Sequence, residues 1–296
     1  MPMRVLVAGS SGLIGTALCA RLRESGHDVV RLVRRTPVLP DERRWNPPSG
    51  EIDDAFDDVD AVVNLCGAPL ASGRWSGARK QVLRDSRIEP TEVLAEAVAE
   101  RGVPVLVNAS GINYYGDTDE VEVDESAPVG DGFLARLCAE WEAACAPASR
   151  AGTRVVLLRI APVLARHGGM LRLLAPVFRS GLGGTLGHGR QYLPWIGLPD
   201  LIEVFMFCLR HDEVSGPVNA TAPRPATNAE FTRAMGRAVR RPTPWRVPGG
   251  LLRLALGEAA EETLLTGPRA VPGVLTDAGF EYTLGDLDRA LAAALS

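Results

Sequence analysis

The stretch Val5-Leu-Val-Ala-Gly-Ser-Ser-Gly-Leu-Ile-Gly15 constrains the fold more than any other part of the chain. Its apolar run Val5 to Ala8 reads as a short buried strand, and a helical pattern starts at Thr16. Between them Gly9, Gly12 and Gly15 recur at every third position. In such a strand–turn–helix the first glycine permits a tight turn. The second lets the backbone approach a diphosphate, and the third allows close packing of helix on strand. A phosphate would rest on the free amides and positive dipole end of a helix beginning near Gly12. Gly9, Ser10, Ser11, Gly12, Leu13, Ile14 and Gly15 are therefore the expected dinucleotide-binding loop.

The next strand, Val29 to Val33, ends in Arg34-Arg35. A chain that binds NAD places Asp or Glu at this tip to accept hydrogen bonds from the ribose 2′-hydroxyl. Two guanidinium groups suit a 2′-phosphate instead, so NADP(H) is the expected cofactor. Further along, strands at Ala61 to Leu65, Val103 to Ala109 and Arg154 to Leu164 alternate with helices, one of them reaching Arg101. Trp45 and Ile52 are the expected buried points of a long connection, and Asp53 to Asp60 reads as a solvated helix start. This alternation predicts an α/β chain, a Rossmann-type doubly wound parallel sheet. Beyond Leu164 the texture turns irregular and rich in glycine, with helices expected over Asn228 to Val239, Leu251 to Leu265 and Asp286 to Leu295. Residues 1–165, joined by about 196–222, are expected to form the nucleotide domain. Residues 166–195 and 223–296 should form a small α+β cap over its substrate cleft.

Bulk properties exclude several classes. The formal net charge is −4 over 296 residues with both signs interspersed, which argues against a nucleic-acid partner. No apolar run approaches the ~20 residues that a membrane span requires. The five cysteines form no Cys-x-x-Cys pair, and no charged-then-apolar leader precedes the first strand. Reduced thiols, no metal and a cytoplasmic monomer or homodimer are the expectation.

The expected chemistry sits at the carboxyl ends of the strands. Leu65, Cys66 and Gly67 end one of them, where small residues let the backbone run beside a cofactor, with Cys66 a packing residue. Ser110, Asn113, Tyr114 and Tyr115 end the next and are the candidate catalytic residues.

Taken together, the glycine loop, Asn64-Leu-Cys-Gly67, Arg74-Trp75, Ser86-Arg87, Tyr114-Tyr-Gly116, Trp141-Glu142, Gly183-Gly184, Gln191, Trp195-Ile196 and Asp200 resemble one family. It is the extended, atypical branch of the short-chain dehydrogenases/reductases, in the epimerase-like subgroup with its own C-terminal domain. Gly216 to Pro223, Asn228 to Phe231 and Ala278 to Phe280 resemble that terminal domain. The resemblance implies that Arg34, Leu65, Cys66 and Arg87 line the NADP site, and that Arg74, Trp75, Gln191 and Trp195 stand on the substrate side. It also exposes a departure. The superfamily's Tyr-x-x-x-Lys pair is missing: Lys80 precedes both central tyrosines, and the pair's register falls on Leu134 and Cys138. Gly111 stands where a catalytic Ser or Thr is usual, with Ser110 beside it. A phenol without lysine's help, of pKa about 10, donates a proton far better than it accepts one at neutral pH. The expected function is an NADP(H)-dependent oxidoreductase or epimerase acting on a small molecule. The alternatives are a redox-neutral isomerase, dehydratase or cyclase, and a non-catalytic NADP-binding sensor.

Overall fold

The computed structural model describes residues 1–70 and 73–296. Strands β1 (Arg4–Ala8), β2 (Asp28–Val33), β3 (Glu42–Asn46), β4 (Glu51–Ile52), β5 (Ala61–Asn64) and β6 (Val105–Gly111) join strands Arg154–Ile160 and Gly216–Ala220 in one sheet. From one edge the order is Gly216–Ala220, Arg154–Ile160, β6, β5, β1, β2, β3, β4. Every neighbouring pair is parallel except β3 with β4. The chain leaves β1 for β2 on one side and returns to β5 on the other. That reversal opens a crevice at the carboxyl ends of β1 and β5, where open α/β sheets hold ligands.

Side-chain alternation along β1 explains the layers. Val5 and Val7 enter a core that holds Leu18, Leu22, Leu201 and Phe205. Leu6 and Ala8 enter the opposite one with Val30, Leu32, Trp45, Leu94 and Val98. A strand buried on both faces needs this continuous apolar run. Helices α1 (Leu13–Glu24) and Leu198–Arg210 cover the first face, and α2 (Gly77–Arg101) covers the second. Helix α1 begins at Leu13, three residues before the apolar pattern suggests, because the turn at Gly9 places Gly12 directly at the helix N-cap. Trp45, buried as expected, is the register partner of Ile52 across β3 and β4, and Ile52 is only half-buried. Asp53 to Asp60, expected as a helix start, forms bends and turns instead.

Buried amides and hydroxyls lock the sheet to its helices. Asn64 on β5 donates to Thr91 Oγ1 on α2 (2.8 Å) and to Asn108 Oδ1 on β6 (2.7 Å). The Trp141 indole of α3 (Phe133–Ala143) donates to the same Thr91 oxygen at 2.9 Å. Such a satisfied network holds β5, β6, α2 and α3 in one arrangement.

A third core gathers Leu164, Leu171, Phe178, Trp195, Phe231, Met235 and Leu291. Its helix Asn228–Val239 is entered through a capping box between Thr227 and Glu230. The expected helix Leu251 to Leu265 is broken: Gly257, at φ +63°, ends Gly249–Leu256, and Glu261–Leu265 continues as a π-helix. The last helix, Leu287–Leu295, packs in this core, while the segment before it reaches the first. Ala270 and Leu275 enter the first core with Phe280 and Tyr282 packed on it, and Asp200 accepts the amides of Thr283 and Leu284.

Candidate functional site

The glycine loop crosses the mouth of the crevice. Gly9 sits at φ +78°, and a Cβ there would stand 2.8 Å from the Leu65 carbonyl at the end of β5. A Cβ on Gly15 would lie 2.3 Å from the Gly9 oxygen. The third glycine thus lets the helix start pack on its own loop. Helix α1 has no side-chain cap at Gly12, which leaves its first amides open to an anion. Ser10 is buried, Ser11 is exposed, and Leu13 and Ile14 are half-buried in the first turn.

The two arginines at the tip of β2 part company. Arg35 grips Glu42 with both terminal nitrogens, at 2.9 and 2.6 Å, while Glu42 also accepts the amides of Val38 and Leu39. Arg35 is therefore a loop staple, not the free phosphate ligand expected. Arg34 is exposed and makes no hydrogen bond or ion pair among the described residues, yet it lies near enough to Cys66 to lower that thiol electrostatically. Burial dominates there and pushes the Cys66 thiol up to about 12, which suits a packing residue. Leu65 and Cys66 are half-buried, tied down by Leu65 N–H to Ala8 O (3.0 Å) and Cys66 N–H to Asn64 Oδ1 (3.1 Å).

Arg35 pushes the Glu42 carboxyl down to about 2, with help from the two amides. A carboxylate lowered in the fold adds stability above its ordinary value of 4.5, and that stability is lost as pH falls towards about 2. Urea melts of the wild type should therefore weaken more steeply across this window than those of Glu42→Gln. Parallel pH profiles would contradict the pairing.

The end of β6 carries a network that the sequence did not disclose. Ser110 Oγ donates to Glu142 Oε1 at 2.7 Å. Glu142 holds Arg159 by two further bonds, at 2.8 and 2.9 Å. Arg159 donates to the Tyr115 hydroxyl (2.8 Å), which donates in turn to Asn219 Oδ1 (2.8 Å). Burial opposes the charge on Arg159, but Glu142 more than offsets it, and the guanidinium stays protonated well above its ordinary range. Tyr115 is 3% exposed, and burial raises its phenol to about 12 despite Arg159. Tyr115 and Ser110, expected as catalytic, are thus members of an interior strut.

Tyr114 differs. It is half-buried, its ring lies 3.4 Å from the Arg159 guanidinium carbon, and its hydroxyl has no hydrogen bond among the described residues. Asn113 donates at 3.3 Å to the backbone of Glu262, whose carboxylate caps α3 at the amides of Phe133 and Leu134. Arg159 could have been suspected as a lone charge inside the apolar strand Arg154–Ile160. Glu262 and Asn219 carried no such signal.

The substrate-side residues are mostly buried. Trp75 packs edge-on to Phe133 at 5.6 Å and donates to Leu70 O. Trp195 is 1% exposed within the third core. Gln191 staples Leu186 O to Leu264 O, both at 3.0 Å. Of the four, Arg74 alone is exposed, its guanidinium against Gly257. Lys80 reaches away from the tyrosines to Glu258. No His/Cys/Asp/Glu cluster among the described residues could hold a metal.

The sequence and the fold have known relatives. Residues 5–220 match the NAD dependent epimerase/dehydratase family, and residues 247–294 match a domain of unknown function, DUF1731. The chain belongs to the NAD dependent epimerase/dehydratase family. An epimerase family protein of Mycobacterium bovis is 55% identical over 97% of this chain and 96% of its own length. The crystal structure of human epimerase family protein SDR39U1 with NADPH superposes with a TM-score of 0.91 at 33% identity, covering 99% of both chains. A nucleoside-diphosphate sugar epimerase from Corynebacterium glutamicum gives a TM-score of 0.83 at 34% identity, with all of this chain matching 58% of that one. No helix among the described residues is long and apolar enough to cross a membrane.

Proposed function

We propose that the protein is an NADP(H)-dependent epimerase or oxidoreductase that acts on a small molecule in the crevice above Tyr114. The observation that carries this reading is the pairing of an open α1 N-terminus with an uncommitted Arg34 on the neighbouring strand. The amides of α1 hold the diphosphate and Arg34 the 2′-phosphate. The bound dinucleotide supplies or accepts hydride. The chain supplies the proton: Tyr114 is the phenol at the crevice whose hydroxyl is uncommitted, and it donates to an oxygen that becomes an alcohol. Arg159, fixed by Glu142, holds the Tyr114 ring in place. Five free thiols suit a cytoplasmic protein.

Purified protein incubated with NADPH and a panel of carbonyl compounds and nucleoside-diphosphate sugars should consume nicotinamide absorbance or interconvert epimers. Tyr114→Phe should then abolish turnover with little change in NADPH affinity. Tyr115→Phe should act chiefly on stability. Full activity in Tyr114→Phe would remove the tyrosine mechanism. Tight NADPH binding with no turnover of any compound would favour the sensor reading, which the burial of Tyr115 and Ser110 already supports.

A further inference from the structure

Charge is distributed unevenly along this chain. Residues 161–199 and 231–257 hold ten arginines and no Asp or Glu, although the whole chain carries a formal net charge of −4. The fold brings these two stretches together. Gly184 pairs with Trp245 in a two-stranded parallel ribbon, and the Arg241 side chain donates to Arg179 O at 3.1 Å. The Trp245 indole donates to Gly181 O at 2.9 Å. Of the ten arginines, only Arg237 and Arg253 find a carboxylate among the described residues, in Asp288 and Glu261.

Helix Leu171–Arg179 carries both halves of the resulting surface. At about 100° per residue, Arg172, Pro176 and Arg179 share one side, and Leu173 and Val177 the side next to it. The first side borders a groove of about 270 Å³, whose walls also hold Arg166, His167 and the end of helix Leu287–Leu295. No Asp or Glu lines the groove. The side chains of Arg166 and Arg172 make no hydrogen bond or ion pair among the described residues. The second side is apolar and bare: Leu173, Val177, Leu182 and Trp245 are between 44% and 66% exposed. Leu182 N–H bonds Val177 O at 3.1 Å, and the Trp245 indole reaches Gly181, so the four form one strip.

Such a surface has an identifiable complement. Apolar side chains exposed one at a time are ordinary, but a contiguous strip marks a place of contact. A free anion would use the groove and leave the strip in water. A strip with a tryptophan beside a cationic groove matches the boundary of an anionic bilayer, where arginines meet lipid phosphates and Leu, Val and Trp settle at headgroup depth. We propose that this face of the protein docks on an anionic phospholipid surface, with a headgroup phosphate in the groove at Arg172 and Arg179 and the strip in the interface. The contact is peripheral, since the nine residues of helix Leu171–Arg179 are far too few to span a bilayer.

Co-sedimentation with phosphatidylcholine vesicles, with and without phosphatidylglycerol, tests the assignment. The wild type should bind only the vesicles that contain phosphatidylglycerol, and added salt should release it. Arg172→Ala/Arg179→Ala should weaken this binding by roughly 10- to 30-fold, the effect of two cations lost from an anionic surface. Leu173→Ser/Val177→Ser should weaken it by about 10-fold through the lost apolar contact. All four side chains are exposed, so both variants should keep the urea midpoint of the wild type. If either unfolds early, Arg172→Gln or Leu173→Ser alone carries the comparison. Equal binding to both kinds of vesicle, or to neither, would overturn the proposal. So would a loss confined to the arginine variant, which would leave the strip without a role. Inorganic phosphate bound at Arg172 and Arg179 without vesicle binding would overturn it in favour of a small-anion site. Dimers that form without vesicle binding and are lost in Leu173→Ser/Val177→Ser would overturn it in favour of a second copy of the chain.

Discussion

Arg34→Ala is expected to weaken NADPH binding by roughly 10- to 100-fold while leaving NADH almost unchanged. The loss corresponds to ~1.5–3 kcal/mol, the usual worth of a hydrogen bond to a charged group. The selectivity follows from geometry. Arg35 is held by Glu42 through both terminal nitrogens, so it does not stand in for its neighbour. Arg34 has no competing partner among the described residues and is exposed at the tip of β2. On the proposed reading its guanidinium would meet only the 2′-phosphate, which NADH lacks. Arg35→Ala should act instead through the Glu42 loop and cost stability before affinity. Calorimetric titration of the variants with both cofactors decides the matter, and equal losses for NADPH and NADH in Arg34→Ala would refute the assignment.

The second large effect is on stability. Glu142 and Arg159 bury an ion pair with side chains 9% and 4% exposed, and removing one partner strands the other. Glu142→Ala should therefore cost about 3–5 kcal/mol, a large part of a typical stability of about 5–15 kcal/mol. Arg159→Met should cost a similar amount. It also removes the donor to the Tyr115 hydroxyl and the cation beneath the Tyr114 ring. In the double variant Glu142→Leu/Arg159→Met no charge is left unpaired, so the total should fall well short of the sum of the two. Urea unfolding of the three variants measures this directly. Additive losses would show that the two side chains contribute independently, contrary to the geometry.

The two effects also mark where the sequence was legible. Val5 to Gly15 announced both the strand and the anion-binding turn, since each rests on residues adjacent in the chain. The helix Asn228–Val239 is local in the same way. Candidate site residues fared less evenly. A run such as Ser110 to Tyr115 shows that polar groups end a strand, but not which of them faces the crevice. Tyr114 and Tyr115 are neighbours, yet Arg159 stacks on one and hydrogen-bonds the other's hydroxyl. Gln191 and Trp195 carried the same ambiguity and proved to be interior.

Sequence alone therefore determined most of the sheet's elements, their alternation about it and the glycine turn. Helix and strand periodicity, glycine spacing and turn chemistry act over a few residues and are read in order along the chain. Only the tertiary structure decided the partners. Tyr115 meets Asn219, 104 positions away, and Glu262 caps α3 from 129 positions beyond Phe133. Arg34 was left free and Arg35 was not because the β2–β3 pairing brings Glu42 beneath one of them. Such choices depend on which charged groups burial leaves together in three dimensions. No local pattern encodes that, because the desolvation that makes a pairing obligatory arises only when the distant segments close over it.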